Sequence, residues 1–65
     1  MTNAEQFVNM LLNHENYSVD GAINYCMNTL EFFDRTEKKY NIRNPSATSL
    51  MNDVIAELRK RSVVE

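Results

Sequence analysis

The chain has 65 residues, a net charge of −2, one cysteine, one glycine and one proline. That length allows a single domain, residues 1–65, which buries only about 60% of the surface its unfolded form exposes. One cysteine excludes an internal disulfide, one cysteine and one histidine fall short of the usual four N/S ligands of a closed structural zinc site, and the negative balance gives no general pull toward nucleic acid or anionic lipid.

Chains below roughly 70–80 residues usually need a staple, whether a disulfide, a metal or a partner. With the first two removed, self-association is left, so a homodimer or higher assembly is expected. The N-terminus MTNAEQFVNMLLN has no positive n-region and its apolar residues are interrupted, unlike a secretory signal. No apolar run reaches the roughly 18 residues of a membrane span. A cytoplasmic protein with a reduced thiol and no cofactor is the expectation.

The first helix is predicted from Asn3 or Ala4 to Leu12 or Asn13, capped by Thr2 or Asn3. Ala4, Phe7, Val8, Leu11 and Leu12 recur at the spacing of one helical face. At this length it must dock on something to persist. The polar stretch Asn13–Ser18, holding His14, reads as a loop.

Ser18 is a good N-cap for a second helix running to about Tyr40. Asp20 suits its positive end. Gly21 costs up to about 1 kcal/mol against alanine, which suggests a close approach of the first helix. Val19, Ala22, Ile23, Cys26, Leu30 and Phe33 form one stripe, and Cys26 on it is expected as a buried thiol. Glu31 with Arg35, and Asp34 with Lys38, are spaced for i,i+4 ion pairs. Glu37 returns to the centre of the stripe, so the buried face is expected to end after Phe33.

Phe32 lies about 100–120° from the stripe centre, beside Tyr25, with Thr29 and Thr36 between that pair and the stripe. A helix apolar over more than half a turn is buried on more than one side. Either the first and third helices cover the two rings, or Tyr25 and Phe32 anchor a contact with another molecule, as aromatics at interface cores do.

Asn44 as N-cap with Pro45 at the first helical position starts a third helix, with Ser46 and Thr48 as alternative caps. Its broad face is Ala47, Leu50, Met51, Val54, Ile55 and Leu58, and residues 62–65 are expected to fray. The run Phe7-x-x-x-Leu11-Leu12 followed by Ala22-Ile23 is loosely similar to ubiquitin-binding three-helix modules. The first loop lacks their Met-Gly-Phe type of sequence and the second helix is far longer, so no family is assigned.

The fold expected is therefore all-α: a short first helix packed on an antiparallel pair of longer helices. Catalytic machinery is not apparent: His14 has no evident partner, Cys26 reads as buried, and no glycine-rich phosphate loop exists. The function expected is a non-catalytic protein–protein interaction module, such as a regulator, inhibitor or assembly adaptor, binding itself and another protein. Its working surface is read as Tyr25, Phe32 and Tyr40 with Arg35, Lys38 and Lys39. The alternative is a nucleic-acid-associated regulator using Arg43, Arg59, Lys60 and Arg61, brought together in a dimer. Nine asparagines suggest an A/T-rich genome and, by composition alone, a bacteriophage protein acting on a host or viral protein.

Overall fold

Thr2 starts the first helix by closing a reciprocal cap. Its hydroxyl accepts the Glu5 N–H at 3.1 Å, while the Glu5 carboxylate accepts the Thr2 N–H at 2.9 Å. Two otherwise orphaned donors are satisfied at once. The backbone bond to Thr2, then its hydroxyl, hold the Glu5 carboxyl below the usual carboxylate range. Helix α1 follows over Asn3–Asn9. The computed structural model describes residues 2–64, with side chains through 62.

Beyond Asn9 the helix does not stop where the sequence suggested. It widens into a π-helical turn over Met10–His14. The Glu15 N–H donates to the Met10 carbonyl and the Tyr17 N–H to the Leu11 carbonyl, each at 3.0 Å. A regular α-helix would carry Glu15 onto the face of Val8 and Leu11, both fully buried. The wider turn, ended by Asn16 at φ 59°, leaves Glu15 exposed instead. Asparagine tolerates this left-handed conformation because its short polar side chain bonds locally. His14 accordingly sits on an exposed helical turn rather than in a loop.

Helix α2 spans Val19–Tyr40. Ser18 caps it, its hydroxyl accepting the Gly21 N–H at 3.0 Å. Ser18→Ala should therefore lower stability by about 1 kcal/mol in a urea titration, and Ser18→Gly by only a few tenths. Gly21 has a different purpose from the one its sequence suggested. A Cβ there would meet Ser18 Oγ at 3.0 Å and the Tyr17 ring at 3.6 Å. The glycine makes room for the cap and its neighbouring ring, not for α1. Asn41, at φ 56°, terminates the helix.

Helix α3 spans Pro45–Val64. The Asn44 carboxamide oxygen accepts the Ala47 N–H at 3.3 Å, and Pro45 takes the position where a missing N–H costs nothing. Ser62–Val64, within the segment where fraying was expected, belong to the helix. Glu65 lies outside the described residues.

Among the described residues the chain forms three helices, no strand, and no helix long and apolar enough to cross a membrane. The three pack together. α3 lies against both α1 and α2, and the π-helical turn supplies the first segment's main contact with α2. Val8, Leu11, Ala22, Cys26, Met51, Val54, Ile55 and Leu58 form the buried cluster. In α2 only Ala22 and Cys26 are fully buried. Leu30 and Phe33 pack against the cluster without being enclosed by it. The enclosed part of α2 thus ends two turns before the sequence pattern indicated, because α1 and its turn are too short to cover a helix of 22 residues. The molecule is elongated, 39 × 22 × 22 Å.

Candidate functional site

Neither α1 nor α3 covers the off-stripe rings of α2. Phe32 is 59% exposed, Tyr40 61% and Tyr25 40%. Phe33, one residue on, turns inward, and the two phenylalanine centroids lie 6.4 Å apart with planes tilted by 57°. Two adjacent rings thus face different environments, as a rotation of about 100° per residue demands. Thr29, between Tyr25 and Phe32, donates its hydroxyl to the Tyr25 carbonyl at 2.9 Å. That bond satisfies the hydroxyl within the helix and leaves the neighbouring surface free of an unpartnered polar group.

The exposed rings form a strip along α2 that runs from Tyr25 and Phe32 on one face and turns by about 80° to Tyr40, in line with Ala22. At 1.5 Å per residue it runs about 22 Å from Tyr25 to Tyr40. Tyr17, in the loop before the helix, extends it: its ring lies 5.6 Å from that of Tyr25. This residue was missed by sequence reasoning, since a loop has no periodicity to signal which way a ring turns. At the other end, Phe32, Arg35, Thr36, Lys39 and Tyr40 line a cleft of about 510 Å³. Lys39 Nζ sits 5.4 Å from the Tyr40 ring centroid, within cation–π range.

Charge divides α2 lengthwise. Asp20 and Asp34 fall on the flank away from the strip. Lys38 belongs there too: its ammonium meets Asp34 at 3.1 Å. The expected grouping of Lys38 with the rings therefore does not form. Glu37 bonds Arg43 across the α2–α3 connection at 3.2 Å. The expected Glu31–Arg35 pair is not made. Arg35 and Lys39 are exposed and have no carboxylate partner among the described residues.

The residues of the nucleic-acid alternative are dispersed. Arg43 precedes α3, while Arg59, Lys60 and Arg61 close its far end, about 24 Å away along the axis. Lys60 lies 3.6 Å from Glu57, and Arg61 is half-buried. Within one chain these groups do not meet.

Cys26 is enclosed in the core, and burial pushes its thiol pKa up. His14 is exposed. No cluster of three or more His, Cys, Asp or Glu that could hold a metal occurs among the described residues. A larger groove, about 750 Å³, lies between the start of α1 and α3, edged by Thr2, Ala4, Ser46, Ser49, Asp53 and Glu57. It contains no aromatic anchor. No protein-family model matches the chain, and no curated protein or solved structure matches it.

Proposed function

We propose that this chain is a small non-catalytic protein–protein interaction module that docks other proteins on the aromatic strip of α2. The observation that carries this reading is the exposure of Tyr25 and Phe32 away from the core-forming face of α2, with Tyr40 exposed at the helix end beside the same cleft as Phe32. A chain this short has few large apolar side chains to spend on its own interior. Placing three rings in water costs stability unless something covers them in use. Large aromatics in a partly enclosed cleft are the side chains that dominate interface energetics.

In this reading α2 and α3 run antiparallel and present the strip on a rigid support. Val19 and Asp20 share a cleft with Ser62, while Phe33 and Thr36 share one with Asn44 and Thr48, which supports that arrangement. The module acts by occupancy, as a regulator, inhibitor or assembly adaptor, and self-association is the competing use of the same surface. A phage origin rests on the asparagine content alone.

Affinity capture from the native host, paired with light scattering of the purified chain, tests the reading. Phe32→Ser should leave the unfolding free energy within about 0.5 kcal/mol of wild type, as surface changes do, yet lose the captured partner or the assembled mass. A clean monomer whose partner recovery is indifferent to Phe32→Ser would remove the strip from consideration.

A further inference from the structure

The proposed docking strip has a sign, and the sign selects its occupant. We infer that the strip binds an acidic amphipathic helix of another protein, with apolar side chains set against Phe32 and Tyr40 and carboxylates paired to Arg35 and Lys39. This rests on the interaction reading above and narrows it.

Three features of α2 carry the inference. First, the two cations at the cleft, Arg35 and Lys39, have no carboxylate partner among the described residues; Lys38, Arg43 and Lys60 each have one, and Arg59 and Arg61, likewise unpaired among those residues, stand on α3 outside the cleft. Second, the strip from Tyr25 to Tyr40 contains no carboxylate. Asp20 and Asp34 sit on the opposite flank and Glu37 is already bonded, while Glu31 stands one turn before Arg35 without pairing to it. Third, this local positive character stands on a chain of net charge −2. An acidic partner is therefore repelled by the molecule at large and attracted where unpaired cations stand beside exposed rings, as Arg35 and Lys39 do beside Phe32 and Tyr40.

A second copy is the competing occupant, since a two-fold pairing presents the same patch from both molecules, and the mass of the purified chain separates it from a foreign helix. The strip's length points to a helix: about 22 Å corresponds to about four helical turns, or roughly fifteen residues. An amphipathic helix lying in a groove contributes anchors at i, i+3, i+4 and i+7 over that span.

The test uses the full chain and three fluorescent probes. One is a four-turn helical peptide with a Leu/Phe stripe flanked by glutamates, the second is the same peptide with lysines replacing the glutamates, and the third is single-stranded oligothymidylate. The glutamate peptide should bind, weaken as salt rises, and bind about tenfold or more tightly than the lysine peptide. Arg35→Glu with Lys39→Glu should cost about tenfold or more and reverse the preference, while Lys38→Gln on the opposite flank should change nothing. Circular dichroism verifies that each variant is folded.

Failure to bind the glutamate peptide overturns the inference. So does equal binding of the two peptides, although loss of both with Phe32→Ser would leave the broader interaction reading standing without its acidic chemistry. Preferential binding of the oligonucleotide would hand the cations to nucleic acid. A dimer by light scattering that Phe32→Ser dissociates would hand the strip to a second copy.

Discussion

Leu58→Ala should leave little folded protein at physiological temperature. Leu58 is fully buried in α3, the helix that packs against both of the others. It is one of the two largest fully enclosed side chains, with Leu11. Truncating a leucine in such a site removes its transfer free energy and leaves a cavity, together about 2–5 kcal/mol. A single-core domain of this size rarely has more than about 3–5 kcal/mol to lose. The two ranges overlap, so the substitution consumes most or all of the stability. Far-UV circular dichroism and a urea titration read the outcome directly. Partner binding that rescues the helical signal of Leu58→Ala would fit an interaction module, since anything that binds only the folded state shifts the equilibrium toward it. A loss below about 1 kcal/mol would mean that α3 is not central to the packing.

Much of this architecture was legible because the apolar residues repeat at helical spacing. Ala22, Cys26, Met51, Val54, Ile55 and Leu58 lie on predicted stripes and are buried. The caps at Thr2, Ser18 and Asn44 follow from side-chain chemistry that acts over three residues, a range sequence reasoning handles well. The π-helical turn was not legible. It depends on which carbonyl each N–H of residues 15 and 17 reaches, and a periodicity of 3.6 has no term for a widened turn. Asparagine content illustrates the same limit. Read as composition it hinted at a genome, but Asn16 and Asn41 adopt left-handed conformations at helix ends and Asn44 caps α3. Those three positions have local conformational reasons to be asparagine.

At the candidate site, the exposure of Phe32 and Tyr25 was one of two outcomes the sequence allowed. The choice depended on how far α1 reaches along α2, which is a property of packing rather than of pattern. The separation of Lys38 from the rings was different: six residues beyond Phe32, it is rotated by about 120° around the helix, so the arithmetic was available. Its ion pair with Asp34 fixes it there. What no pattern carries is the absence of a partner for Arg35, because Glu31 stands at the right spacing and the pair is not made.

The buried thiol gives the second large effect, and it depends on pH. Cys26 is fully enclosed, and burial raises its pKa because the thiolate would lose its water without gaining a partner. In the unfolded chain the thiol ionises near its ordinary value, about 8.5. Below that pH both states hold the proton and the group has no effect on the pH dependence. Above it the unfolded chain releases the proton while the folded chain keeps it. The unfolded state then binds fewer protons, so stability falls as pH rises, by up to about 1.4 kcal/mol per pH unit, until the folded pKa is passed. Tyrosines and lysines titrate in the same region, so the comparison must be with Cys26→Ala. That variant loses the packing of one sulfur, about 1 kcal/mol at neutral pH, but has no thiol to ionise. The gap between the two urea-derived stabilities should narrow as pH rises above about 8.5. Thiol-reactive dye should label native Cys26 only as fast as the core opens. A gap that stays constant across this range, with rapid labelling of the native protein, would place the sulfur in contact with solvent.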